Sequence, residues 1–296
     1  MTSLILKQPA HLLRLSDLTL LLVAMVWGTS YGVAKGALAF YPVLGFLALR
    51  FGLTFVLLAP TLLRASTQQR RDAWRSGLPL GGWLLAIFLC ETFGVAHTQA
   101  SNAALLISLC VVMTPFVQWW LLGQRPARAV FGFAAVSLLG AALLRGGLTG
   151  GLAWGDGLML GAAVLRAILV CQTSRLTRSS SATSLQLTAV QSGVICLGCL
   201  LLALLTRGGL PDLPGQAVFW QGTLYLVLGC TVFAFFAQNW ALKHSAPSRV
   251  ALLTSSEPAF GALFAVWWLG ESLSPMGWLG AALIVLAALW TTWRRG

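Results

Sequence analysis

Two stretches decide how this chain reads: SNAALLISLCVVMTPFVQWWLLGQRP, residues 101–126, and SRVALLTSSEPAFGALFAVWWLGESL, residues 248–273. They align without a gap at an offset of 147, close to half of the 296-residue length. Eight of the 26 pairs are identical: Ser101/Ser248, Ala104/Ala251, Leu105/Leu252, Leu106/Leu253, Ser108/Ser255, Trp120/Trp267, Leu122/Leu269 and Gly123/Gly270. Self-similarity at a fixed offset is the mark of a repeated architecture. The two halves, 1–148 and 149–296, are therefore read as copies of one design.

The surroundings of these stretches say what kind of design it is. Apolar residues make up 58% of the chain and charged residues 9%, against roughly 25% charged in a soluble domain. So little charge cannot cover a water-facing surface of this size, and so much apolar content excludes a disordered chain. The apolar runs are continuous and lack the alternation of a membrane β-barrel. This leaves an all-α integral membrane protein, whose spans need about 20 residues each.

Ten apolar runs can be read, near 18–37, 42–63, 78–97, 101–122, 128–145, 155–174, 184–206, 218–240, 248–269 and 276–293. Cytoplasmic loops collect Lys and Arg. With both termini cytoplasmic, fourteen of the 19 basic residues fall inside, and only Lys35, Arg145 and Arg207 fall outside. Arg50 and Arg166 lie within spans. The same sorting explains a pI near 10.5 without nucleic acid, because the basic residues are spread over several loops rather than gathered on one face. The first run has a basic start and Ala37-Leu38-Ala39, but Trp27, Tyr31 and Lys35 make a poor cleavage region, so it is read as an uncleaved span.

Five spans per half is an odd number, so the two halves must lie in the membrane in opposite orientations. Inverted repeats of this kind build secondary transporters, with the substrate site near the midplane between them.

Half one carries Trp27-Gly28-Thr29-Ser30, Lys35, Leu49-Arg50-Phe51 and Ala103-Ala104-Leu105-Leu106. Half two carries Gly155-Asp156, Ser248-Arg249-Val250-Ala251-Leu252-Leu253, Glu257-Pro258 and Gly270-Glu271. In their order and spacing these motifs resemble the drug/metabolite transporter superfamily, in its EamA-type ten-helix branch. The resemblance implies export of amino acids or related small metabolites across a bacterial inner membrane, and an architectural role for Arg50. Half one has Cys110-Val111 where half two has Glu257-Pro258, and Gln124 where half two has Glu271. The acidic positions therefore belong to the second half alone.

Charged groups in lipid cost several kcal/mol and mark functional sites or buried pairs. Four fall within spans: Arg50, Glu91, Arg166 and Glu257. At 1.5 Å per residue, Arg50 and Glu91 lie ~13 Å and ~10 Å below the outer surface, and Arg166 and Glu257 both ~16 Å. Matched depths predict two ion pairs, Arg50 with Glu91 and Arg166 with Glu257. Glu91 is the stronger coupling candidate, because no proline or repeat motif explains it, and protons are the coupling partner it would serve.

Aromatic and amide side chains form a second class. Trp27 and Tyr31 lie one turn apart, as do Phe93 and His97, and Trp119, Gln118, Gln172, Gln238, Asn239 and Trp240 add flat faces and amides. Such groups suit an amino acid, with amides for its charged end and rings for its side chain; interfacial belts use the same residues. Gly28, Gly32 and Gly36, and likewise Gly157 and Gly161, repeat every fourth residue, which predicts close helix packing.

Three other signals lead nowhere. Gly28-Thr29-Ser30-Tyr31-Gly32 matches a nucleophile elbow but sits inside an apolar helix. Cys196-Leu197-Gly198-Cys199 has no second pair for zinc. The four Asp residues are scattered, so neither a metal site nor a cofactor is expected. A transporter of a small-molecule substrate, working in membrane lipid, is the leading reading. A membrane-embedded enzyme acting on lipid and a passive channel are the alternatives.

Overall fold

The computed structural model describes residues 10–98, 106–145, 154–269 and 272–293. Within these helices the side chains of residues 10–15, 31, 144–145, 207, 265, 268–269 and 291–293 lie outside the description. Positions 101–105 of the repeat, Gly270, Glu271, Arg294 and Arg295 also fall outside it.

The described residues are helical and contain no strand. In chain order the helices are α1 (Ala10–Leu38), α2 (Val43–Leu63), α3 (Thr67–His97), α4 (Cys110–Leu122), α5 (Arg128–Arg145), α6 (Trp154–Thr177) and α7 (Ser184–Arg207). Then follow α8 (Ala217–His244), α9 (Pro247–Thr254), α10 (Glu257–Leu269) and α11 (Pro275–Trp293). Six segments, in α1, α2, α3, α6, α7 and α8, are long and apolar enough to cross a membrane, and shorter apolar helices cover 106–122, 128–143 and 275–290.

Two differences from the sequence reading have local causes. The apolar run at 78–97 is the second part of a longer helix, because a capping box at Ser66 and Gln69 starts α3 eleven residues earlier. There Ser66 Oγ accepts from the Gln69 N–H while the Gln69 side chain accepts from the Ser66 N–H, satisfying two donors that a helix start leaves open. Thr183 and Gln186 form the same box at the start of α7. The second difference is a break. The run at 248–269 divides at Ser255 and Ser256, whose hydroxyls donate back to the Leu252 and Leu253 carbonyls (both 2.7 Å) as α9 ends. The run at 106–122 has its turn at Leu109, so α4 and α10 begin 147 residues apart.

The main packing pairs all join a helix before residue 148 to one after it. The helices α2 and α7, α3 and α6, α3 and α7, and α5 and α11 lie together; α4 rests on α6 and α1 on α10 and α8. The largest apolar cluster accordingly draws on six helices, through Val23, Phe46, Phe88, Leu169, Ile195 and Phe235 among others. The two halves share one core.

Glycine packing is narrower than the four-residue spacing predicts. A Cβ on Gly28 would lie 2.6 Å from the Gly261 nitrogen, so α1 and α10 touch backbone to backbone there, but Gly32, Gly36, Gly157 and Gly161 face open space. The repeated Trp120 and Trp267 are 82% and 89% exposed, which puts this identical pair on the outer surface and not in the core.

At one end of the bundle, Asp72 accepts from the Ser181 N–H (2.9 Å) and hydroxyl (2.7 Å). Lys243 Nζ donates to the Ser180 and Ala182 carbonyls, and Arg178 reaches Gln124 at 3.5 Å. At the other end Tyr41 donates to the Pro211 carbonyl, and Thr98 donates to Asp156.

Candidate functional site

All four charges within spans line one cavity of ≈ 90 Å³ inside the bundle. Helices α2, α3, α6 and α10 bring them there. Arg50, Glu91 and Glu257 are 6%, 6% and 5% exposed, so they are buried among apolar groups, and Arg166 is half-buried.

The pairing differs in part from the one that depth predicts: Arg166 meets Glu257 as expected, but Glu91 meets Arg166 and not Arg50. Arg166 Nε lies 2.7 Å from Glu91 Oε1, and Arg166 Nη1 lies 3.6 Å from Glu257 Oε2. One guanidinium thus serves two carboxylates. Arg50 forms no ion pair with Glu91; its Nε donates to Thr231 Oγ1 (3.0 Å) and its guanidinium stacks on Phe51 and Phe88, 5.2 Å and 5.5 Å from their centroids. The reason is the packing order. Helix α3 lies against α6 and α7 and barely touches α2, so Glu91 finds the Arg on α6.

Aromatic rings connect the two cations. The Arg166 guanidinium sits 5.4 Å from the centroid of Trp27, which meets Phe235 edge-on at 6.3 Å; Phe235 lies 6.1 Å from Phe88, beneath Arg50. Trp27 is held in place by a hydrogen bond from its Nε1 to the Cys230 carbonyl (2.9 Å). That carbonyl belongs to a π-helical segment of α8, Leu226–Phe233, which also supplies Thr231 to Arg50. Such widened turns leave backbone and side-chain groups available to other helices.

The helix breaks also meet at this cavity. Glu257 and Cys110 are the first residues of α10 and α4, and both line it. A helix start leaves N–H groups without partners inside the helix and favours negative charge nearby. Broken helices at midmembrane are tolerated where they border a cavity, and in transporters they mark the binding site.

The structure brings together Trp27, Arg50, Glu91, Arg166 and Glu257, with Gln238 added from the amide class. Seven other candidates do not line the cavity, Gln118 and Trp240 among them. Asn239 donates from its amide to Thr188 Oγ1 and Gln191 Oε1, both 3.1 Å, and so ties α8 to α7. Trp119 is 48% exposed and carries the Arg125 guanidinium over its ring. His97 is exposed, contacts its own Phe93 carbonyl and stacks on Trp154 at 4.6 Å. Phe93 and Gln172 are partly buried away from the cavity. The Tyr31 side chain lies outside the described residues.

Sequence reasoning left out Ser30, Phe88, Thr92, Phe235 and Thr254, all of which line the cavity. The 147-residue offset, extended toward the N-terminus, pairs Phe88 with Phe235 and Glu91 with Gln238, and all four border it. That offset was the signal for Phe88 and Phe235; it does not single out Ser30, Thr92 or Thr254.

A multi-pass helical bundle whose broken helices and buried charges converge on an internal cavity has the build of a membrane transporter. The chain belongs to the EamA-like transporter family, whose profile matches residues 14–146 and again 153–293. It is 28% identical over 286 residues to an uncharacterized transporter of Archaeoglobus fulgidus, covering 93% of this chain and 84% of that one. It is 25% identical over 272 residues to a probable terminal-alkyne amino-acid exporter of Streptantibioticus cattleyicolor, covering 89% of each. A solved crystal structure shares the fold, with a TM-score of 0.78 at 19% identity, covering 94% of this chain and 98% of that one.

Proposed function

We propose that this protein is a secondary transporter that exports amino acids, apolar or aromatic ones among them, or related small metabolites across a bacterial inner membrane. It works by alternating access, with ten spans arranged as two inverted five-helix repeats and both termini in the cytoplasm. The observation that carries this reading is the cavity itself: it is lined by two Arg and two Glu, formally neutral together, and two broken helices begin at it, with Cys110 and Glu257. An internal polar site on a bundle whose packing pairs cross between the halves can open to one side and then the other as the halves rock.

Two further observations support parts of the proposal. The loops that carry most of the basic residues meet at one end of the bundle, through Asp72 with Ser181, Lys243 with Ser180 and Ala182, and Arg178 with Gln124. That is the end the positive-inside rule assigns to the cytoplasm. An amino-acid exporter of similar length also aligns with most of the chain. Proton coupling falls to Glu91, a buried carboxylate that borders the cavity.

The test is uptake of a panel of labelled amino acids into proteoliposomes, with and without an imposed pH gradient. Saturable uptake of at least one amino acid, raised by the gradient, is expected. A preparation that moves none of them, or that hydrolyses or transfers lipid groups, overturns the reading.

A further inference from the structure

We propose that Arg50 is the carboxylate-binding residue of this cavity, and that the ligand is a zwitterionic α-amino acid and neither a plain amine nor a plain acid. This rests on the transporter reading above and assigns its substrate class.

The argument starts from an imbalance among the four charges. Arg166 is shared by Glu91 and Glu257, so that group carries one excess negative charge. Arg50 has no carboxylate within 4.0 Å among the described residues. It is 6% exposed and borders the cavity. Among the described residues it makes one hydrogen bond, from Nε to Thr231, which uses one of its five donors. Burying a guanidinium away from water and leaving it without an anion is costly. The stacking of Phe51 and Phe88 fixes the plane of the group, and its remaining N–H groups form the fork that carboxylates fit bidentately.

The second charge of the ligand is placed by chemistry. In an α-amino acid the ammonium sits on the carbon next to the carboxylate, so its partner must lie beside Arg50. Glu91 lines the same cavity as Arg50 and forms no ion pair with it. Its Oε1 faces Arg166 Nε at 2.7 Å. A gap of this kind, positive on one side and negative on the other, accommodates a zwitterion. Phe88, Phe235 and Trp27 then supply an aromatic wall for an apolar side chain.

The experiment is uptake of labelled L-phenylalanine and L-leucine into proteoliposomes, with phenethylamine and isoamylamine as competitors lacking the carboxylate. Wild-type protein is expected to prefer each amino acid over its amine by about tenfold or more, the scale of a lost charged hydrogen bond. In Arg50→Gln and Arg50→Lys, KM for the amino acids should rise about tenfold or more, while inhibition by the amines stays within about twofold. Arg50→Lys keeps the cation and carries the test if Arg50→Gln does not fold. Amino-acid KM values unchanged in either monodisperse variant overturn the assignment, and so does an equal loss of amino acid and amine. Failure of wild-type protein on both amino acids instead removes the parent reading, which separates the two claims.

Discussion

Arg249 grips Asp17 with two hydrogen bonds, Nε to Oδ1 at 3.1 Å and Nη2 to Oδ2 at 2.6 Å. The pair ties the first part of α1 to α9, and Asp17 is buried. Removing Arg249 leaves that carboxylate without its charged partner, so Arg249→Ala should cost about 1.5–3 kcal/mol. Thermal unfolding in detergent should show a clear drop in midpoint. Asp17→Asn, which removes the buried charge as well, should cost less than Arg249→Ala. The reverse order would mean that the pair is not what holds this end together.

The contact of Gly28 with Gly261 makes a second prediction. A side chain at position 28 meets backbone on α10, with the Gly261 nitrogen at 2.6 Å and the Glu257 carbonyl at 2.7 Å. Gly28→Val should therefore destabilise by about 1–3 kcal/mol through overpacking. It should also impair uptake, because the helix it displaces carries Glu257. Gly32→Ala, one turn away in open space, should be neutral or stabilise by about 0.5–1 kcal/mol. Equal effects of the two substitutions would contradict the packing described here.

Asn239 separates structure from transport. It is buried and donates to Thr188 and Gln191. Asn239→Leu should lower stability by about 1–3 kcal/mol, because it leaves buried acceptors unsatisfied. KM for an amino acid in the folded fraction should change little. A large KM change with unchanged stability would move Asn239 into the binding site.

Glu91→Gln addresses coupling. The substitution keeps the size of the side chain and removes its charge and its titration. Uptake measured across pH in proteoliposomes should lose its dependence on an imposed pH gradient. A gradient response equal to that of wild type would exclude Glu91 as the proton carrier.

The course of the chain was largely legible in the sequence, because apolar runs of span length have few alternatives. The breaks at Leu109 and at Ser255 and Ser256 were not, since apolar composition continues across both. The site was legible in part for a different reason. Charge in lipid is conspicuous, so Arg50, Glu91, Arg166 and Glu257 could be named at once. Their partners were legible only in part: Arg166 meets Glu257 as depth predicts, but depth along a helix says nothing of which neighbour it faces. Glu91 matches Arg50 in depth, but α3 packs on α6, so it meets Arg166. Phe93 shows the same limit: two residues from Glu91, it points to another face of α3. Phe88 and Phe235 carry no charge to make them conspicuous, although one offset relates them and the cavity uses both.

The central claim is that substrate crosses by alternating access through the cavity holding Arg166, Glu91 and Glu257. Counterflow tests it most directly: proteoliposomes loaded with unlabelled L-phenylalanine or L-leucine are diluted into a trace of the same labelled amino acid. The account predicts transient accumulation of label above equilibrium, saturable and lost in Arg166→Ala. Flux that never exceeds equilibrium and does not saturate would contradict it and make the protein a channel.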